Sequence, residues 1–228
     1  MKKELSFCSV AVIGILLSVI TGCKKDNSSD ANTIRDVDGN TYHTVTIGTQ
    51  VWMSDNLRTT HYRDSSAISK VEDNSAWSNL TSGAYCSYEN SADNAGTYGF
   101  LYNWYAGIDS RNICPIGWHI PTDSEWQTLV DYLGGNNTAG DKLKETGTAH
   151  WVSPNTDATN ESGFNGLPGG YRHNLGGFSN IGYYGFFLSA TEDQASYGWY
   201  RFIRSSSGIV ARSSNIKGFG ASVRCIKD

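Results

Sequence analysis

The chain has 228 residues, 39% hydrophobic, 18% charged and 12% aromatic, with a formal net charge of −4. That hydrophobic fraction excludes a disordered chain, and the lack of a large basic patch argues against nucleic acid as a partner. An excess of Gly (25), Tyr (13) and Trp (7) over Met (2) and Pro (4) points to a loop-rich, strand-containing fold of one large domain or two small ones.

Lys2 and Lys3 form a short positive head, and residues 10–20 are an apolar run of signal-peptide length. The run ends in Ile20-Thr21-Gly22-Cys23, which resembles a bacterial lipobox: an apolar residue, two small ones, then Cys. Residues 1–22 are therefore expected to be a cleaved signal, with Cys23 lipidated. Two or three acyl chains on one residue hold a membrane where a single chain is marginal. Residues 23–39 read as a flexible tether, polar and poor in apolar anchors. Lys24-Lys25-Asp26 resembles the surface-export signal of Bacteroidota lipoproteins. The expected location is the outer membrane, facing the cell surface.

Residues 42–52 predict a hairpin, with alternating side chains before a turn at Gly48. Residues 99–108 place Leu101, Trp104, Tyr105 and Ile108 at helical spacing and predict a helix. Thr122-Asp123-Ser124-Glu125 fits a capping box. Trp126, Leu129, Val130 and Leu133 then form an apolar stripe, closed by Gly134-Gly135. Glu125 is read as a cap, not an acid catalyst. A short helix is expected over 141–145, and strands over 169–172, 185–191, 198–204 and 221–226. In the last, Ala221, Val223 and Cys225 share one face while Ser222, Arg224 and Ile226 share the other. With no internal repeat and no linker, residues 40–228 read as one domain.

Five cysteines are present. Cys8 leaves with the signal and Cys23 takes lipid. Cys86, Cys114 and Cys225 then face an oxidising compartment, which predicts one disulfide and one free thiol. Cysteine and histidine spacings suggest no zinc site, and no cofactor is implied.

Six ordered segments look familiar together. They are IGTQVWMSDNL (47–57), YGFLYNWY (98–105), CPIGWHIPTDSEW (114–126), NESGFNGLPGGYR (160–172), LSATE (188–192) and SVRC (222–225). Together they resemble the Fibrobacter succinogenes major paralogous domain family, whose members are surface or secreted proteins, often lipoproteins. The stretch 118–126 with the terminal Val-Arg-Cys is more distantly similar to the formylglycine-generating branch of C-type lectin-like folds. That likeness implies an α+β, C-type lectin-like fold: two helices, a twisted antiparallel sheet and long Gly- and aromatic-rich loops. It places a central strand at 164–167, pairs Cys114 with Cys225, and leaves Cys86 free.

The expected function is a non-enzymatic surface binding or adhesion module for glycan or protein. Its candidate ligand loop spans 172–184 and carries Arg172, His173, Asn174, Asn180, Tyr183 and Tyr184, since flat rings stack and amides hydrogen-bond. Residues 163–191 contain no Asp or Glu, which argues against a calcium-bridged sugar site there. Formylglycine-type chemistry relies on two nearby C-terminal thiols, and only Cys225 is available. A structural envelope component with no small ligand is the alternative. Exposed aromatics clustered on one face would favour binding over that alternative.

Overall fold

The computed structural model describes residues 32–228. The expected signal peptide, Cys23 and the tether up to residue 31 lie outside the described residues. In chain order come β1 (Thr33–Arg35), β2 (Thr41–Ile47), β3 (Gln50–Met53), β4 (Ser69–Lys70), α1 (Asn74–Ser78), β5 (Ala84–Cys86) and α2 (Ala92–Tyr98). Next are β6 (Leu101–Tyr102), α3 (Trp104–Gly107), β7 (Trp118–His119), α4 (Asp123–Tyr132) and α5 (Ala139–Leu143). The rest is β8 (Gly169–Arg172), β9 (Phe178–Ile181), β10 (Tyr184–Gln194), β11 (Tyr197–Arg204), β12 (Ser207–Ile216) and β13 (Ile226–Lys227). The class is α+β, mainly sheet.

The strands form three sheets, in the orders β1-β2-β3-β13-β7, β12-β11-β10-β8-β9 and β4-β5-β6. β1 lies in the stretch read as tether, yet it pairs along its length with β2. Behind it, buried Asp36 accepts hydrogen bonds from the Asn40 N–H and the Tyr42 hydroxyl. The β2–β3 hairpin turns at Gly48, whose φ of +61° suits glycine.

α4 starts where its capping box predicts: the Thr122 hydroxyl accepts from the Glu125 N–H, and the Glu125 carboxylate from the Thr122 N–H. Trp126, Leu129, Val130 and Leu133 are all buried, each contributing about 1.5–3 kcal/mol of burial free energy. Trp126 anchors the helix to the second sheet, its indole N–H donating to the Leu188 carbonyl.

Residues 99–108 do not form the expected helix. Leu101 and Tyr102 pair with β5, and α3 has only four residues. The cause is buried Asn103, whose Oδ1 accepts from the N–H groups of both Ala84 and Ala106 at 3.0 Å. One amide thus ends a strand pairing and caps a helix. Ile108, expected in the core, is exposed. The short helix after Gly135 begins at Ala139, two residues before its expected start. The strand expected at 164–167 is absent, reduced to one bridge between Lys144 and Gly166. β12, rich in Ser, carried no strand signal; β11 recruits it by pairing.

Two large apolar clusters meet along residues 221–226, every one of which is buried. Ala221, Val223 and Cys225 enter the first cluster. Ile226 enters the second, and the Arg224 guanidinium lies 4.7 Å from the Phe164 ring of that cluster. The predicted alternation holds. Regular pairing does not: bridges at Ala221 and Ser222 precede a two-residue β13. Cys225 is bonded to Cys114, with Cα atoms 6.0 Å apart, and Cys86 is a buried free thiol.

A fold this rich in loops buries backbone carbonyls that no helix or sheet satisfies. Fully buried cations supply the donors. Lys144 Nζ donates to the carbonyls of Thr156 and Ser207. Arg224 donates to those of Met53, Phe164 and Asn165, and to Asn56 Oδ1.

Candidate functional site

The β8–β9 hairpin occupies most of the expected ligand loop. Arg172 is not available to a ligand. Its side chain is fully buried and donates to the carbonyls of Val71, Glu72 and Gly176 and to Asn74 Oδ1. Its guanidinium lies 4.4 Å from the Trp77 ring and 4.7 Å from the Phe178 ring. It is a cross-linker between the hairpin and the segment before α1. His173, exposed, and Asn174, half-buried, sit at the start of the hairpin turn.

The other candidates separate. Tyr183 is 50% exposed, but no ring contact joins it to another aromatic among the described residues. Tyr184 opens β10 and belongs to a connected array of rings. It stacks on Phe186 at 6.0 Å, and Phe186 stacks on Phe202 at 4.8 Å. Phe186 also meets Tyr171 edge-on at 5.0 Å; Tyr171 stacks on Phe219 at 4.9 Å and meets His173 at 5.2 Å. The Asn180 amide donates to the Tyr171 hydroxyl at 3.1 Å.

Strand geometry explains the array. Register pairs Phe186 with Phe202 and Leu188 with Tyr200, so Tyr184, Phe186, Tyr200 and Phe202 share one face of the second sheet. Phe186 and Phe219 are buried, while Tyr171, Tyr184 and Phe202 are half-buried and His173 is exposed. The result is a connected patch of rings, continuous with the first apolar cluster, in which Tyr171, Tyr184 and Phe202 stay partly exposed and an amide and an imidazole lie beside them. Tyr171, Phe186, Phe202 and Phe219 were missed as candidates. A usable signal existed: aromatics two apart in successive strands, at 184/186 and 200/202.

The family model of the Fibrobacter succinogenes major domain matches residues 45–227. The chain belongs to that family. No curated protein and no solved structure matches it. In this Fibrobacter succinogenes major domain the six familiar segments mostly build the frame. Residues 47–57 supply Met53 and Asn56, 160–172 supply Phe164 and Asn165, and 222–225 supply Arg224, all joined at one buried guanidinium. Segment 98–105 joins through the Tyr98 carbonyl, which accepts from the Asn56 amide. Of the rings in the patch, Tyr184, Phe186, Phe202 and Phe219 fall outside these segments.

Elsewhere, His119 is held between two carboxylates: Nδ1 lies 2.6 Å from Asp228 Oδ1 and Nε2 lies 3.0 Å from Glu125 Oε1. Partial burial opposes the charged ring, but hydrogen bonds to Asp228 and Glu125 outweigh it and raise its pKa. Burial likewise opposes ionisation of Glu125, but the Thr122 N–H and hydroxyl and His119 outweigh it and lower its pKa. A raised histidine contributes stability fully below its unfolded pKa, about 6.5, and loses that contribution as pH rises through the folded value. A lowered glutamate contributes above about 4.3 and loses that as pH falls through its folded value. Both act together between about pH 4.5 and 6.5. His119→Gln is therefore expected to lower Tm at pH 5.5 by more than at pH 9, as read by calorimetry at the two values. An equal loss at both would show that His119 acts only by packing. Among the described residues, no group of three His, Cys, Asp or Glu side chains is placed to hold a metal ion.

Proposed function

We propose that this chain is a lipid-anchored, non-enzymatic recognition module on the outer face of the cell envelope, with a C-type lectin-like arrangement, and that it takes glycans on the ring-lined face of its second sheet. The carrying observation is the cluster of half-buried Tyr171, Tyr184 and Phe202, in contact with buried Phe186 and Phe219. Partly exposed aromatic rings offer stacking surface at low entropic cost, and Asn180 and His173 add polar contacts beside them. The Lys2-Lys3 head, the apolar run and Ile20-Thr21-Gly22-Cys23 support the anchor and the location. The bridge from Cys114 to Cys225 fits an oxidising compartment.

The test is a glycan and peptide array probed with chain lacking residues 1–23, with and without EDTA. A glycan hit that survives EDTA supports the proposal. A hit that EDTA abolishes transfers binding to a metal-dependent site. A silent glycan array with a peptide hit makes the face a protein-docking surface, and complete silence favours a structural envelope component.

A further inference from the structure

Both edges of the first sheet, β1 and β7, line one cavity of about 300 Å³. That volume is at the lower end for a ligand pocket. Its walls are apolar: Ile34, Val37, Ile113, Pro115, Ile116 and Trp118. Ile116 is 83% exposed and Val37 44%. Apolar side chains this exposed at the mouth of a cavity mark a contact surface more often than a bare exterior.

The polar lining is unbalanced in charge. Arg63 uses Nε and Nη2 on the carbonyls of Cys114, Pro115 and Trp118, which are neutral acceptors. Neither Arg63 nor Arg35 is in an ion pair among the described residues. The one acid in the lining, Asp36, is buried and engaged by Asn40 and Tyr42. The neighbouring Asp64 accepts from the Ser66 N–H and hydroxyl. The cavity thus joins apolar walls to two guanidinium groups with no carboxylate partner, which suits an amphiphile with an anionic head.

Chain length points to the source of that amphiphile. The cavity wall begins at Ile34, and Cys23 lies ten residues before Thr33. Ten residues span at most about 35 Å even when fully extended. If Cys23 is lipidated, this pole of the domain stays within that distance of the bilayer. We infer that the pole rests on the membrane. A phospholipid phosphate sits between Arg35 and Arg63, and the first acyl carbons enter the cavity beside Ile116 and Trp118. This inference rests on the lipid-anchor reading.

The test uses the lipidated protein in nanodiscs of anionic phospholipid brominated on its acyl chains, since bromine quenches tryptophan only at contact. Part of the emission of the seven tryptophans is expected to be quenched. That part should be lost in Trp118→Phe and in the surface variant Ile116→Asp. Disc-bound protein with no quenching, or with quenching equal in Ile116→Asp, overturns the inference and leaves the anchor standing. Protein that elutes free of the discs refutes the anchor, and the inference falls with it. Quenching by a brominated short-chain carboxylic acid but not by brominated phospholipid would assign the cavity to a soluble amphiphile and overturn membrane docking.

Discussion

Arg224→Met is expected to unfold the domain or to remove about 4 kcal/mol or more of its stability, a large share of the 5–15 kcal/mol typical of a domain. Arg224 is fully buried, and burial pulls its pKa down to about 9. Its acceptors are Asn56 Oδ1 at 2.6 Å and the carbonyls of Met53, Phe164 and Asn165 at 3.2, 2.6 and 2.9 Å. Met fills much of the volume and donates nothing. Each acceptor left dry costs about 1–3 kcal/mol. Arg224→Lys should recover only part of the loss, because one ammonium cannot reproduce a fork aimed at separate loops. Urea unfolding followed by circular dichroism measures both variants. A loss below 1 kcal/mol for Arg224→Met would show that the guanidinium is not what joins the loops.

The second large effect concerns the disulfide. Cys114 and Cys225 are 111 residues apart. In the chain-entropy model, a loop of that length is worth about 4–5 kcal/mol through its restriction of the unfolded chain. The double variant Cys114→Ala/Cys225→Ala should therefore melt about 10 °C below the oxidised wild type. Reductant should bring wild type down to the variant and leave the variant unmoved. A variant whose Tm still falls with reductant would reveal a second reducible bond, such as a mixed disulfide formed by Cys86 with an external thiol. Burial pushes the Cys86 thiol up to about 11, so it reacts little while the domain is folded.

Local signals were legible where they were self-sufficient. The capping box at Thr122 and the apolar stripe after it carry their own physics, and α4 forms where they place it. The strand at 169–172 and the alternation at 221–226 were legible for the same reason. The helix expected over 99–108 failed because Asn103 bonds Ala84, nineteen residues away in sequence, and no local period reveals that. β12 was hidden because its strand character is imposed by β11, not by its Ser-rich sequence. Arg172 looked like a ligand contact because an Arg between Gly-rich segments reads as surface. Its true partners, Val71 and Glu72, lie about a hundred residues away. For the ring patch, the sequence pointed to Tyr184 and His173 in the right hairpin region, but not to the partners that β10 and β11 align with them.

The ring-lined face is proposed as the place where this domain meets its ligand. The most direct measurement is calorimetric titration of the strongest array glycan into wild type, Tyr171→Ala and Tyr132→Ala. Tyr132 is 65% exposed on α4 and takes no part in the ring array, so it serves as a matched surface control. Tyr171 stacks on Phe219 and accepts a hydrogen bond from Asn180. Losing one stacking ring is worth about 1.4 kcal/mol, so Tyr171→Ala is expected to weaken binding about tenfold, with Tyr132→Ala unchanged. Wild-type affinity in Tyr171→Ala, or a loss confined to Tyr132→Ala, would move the binding site off this face.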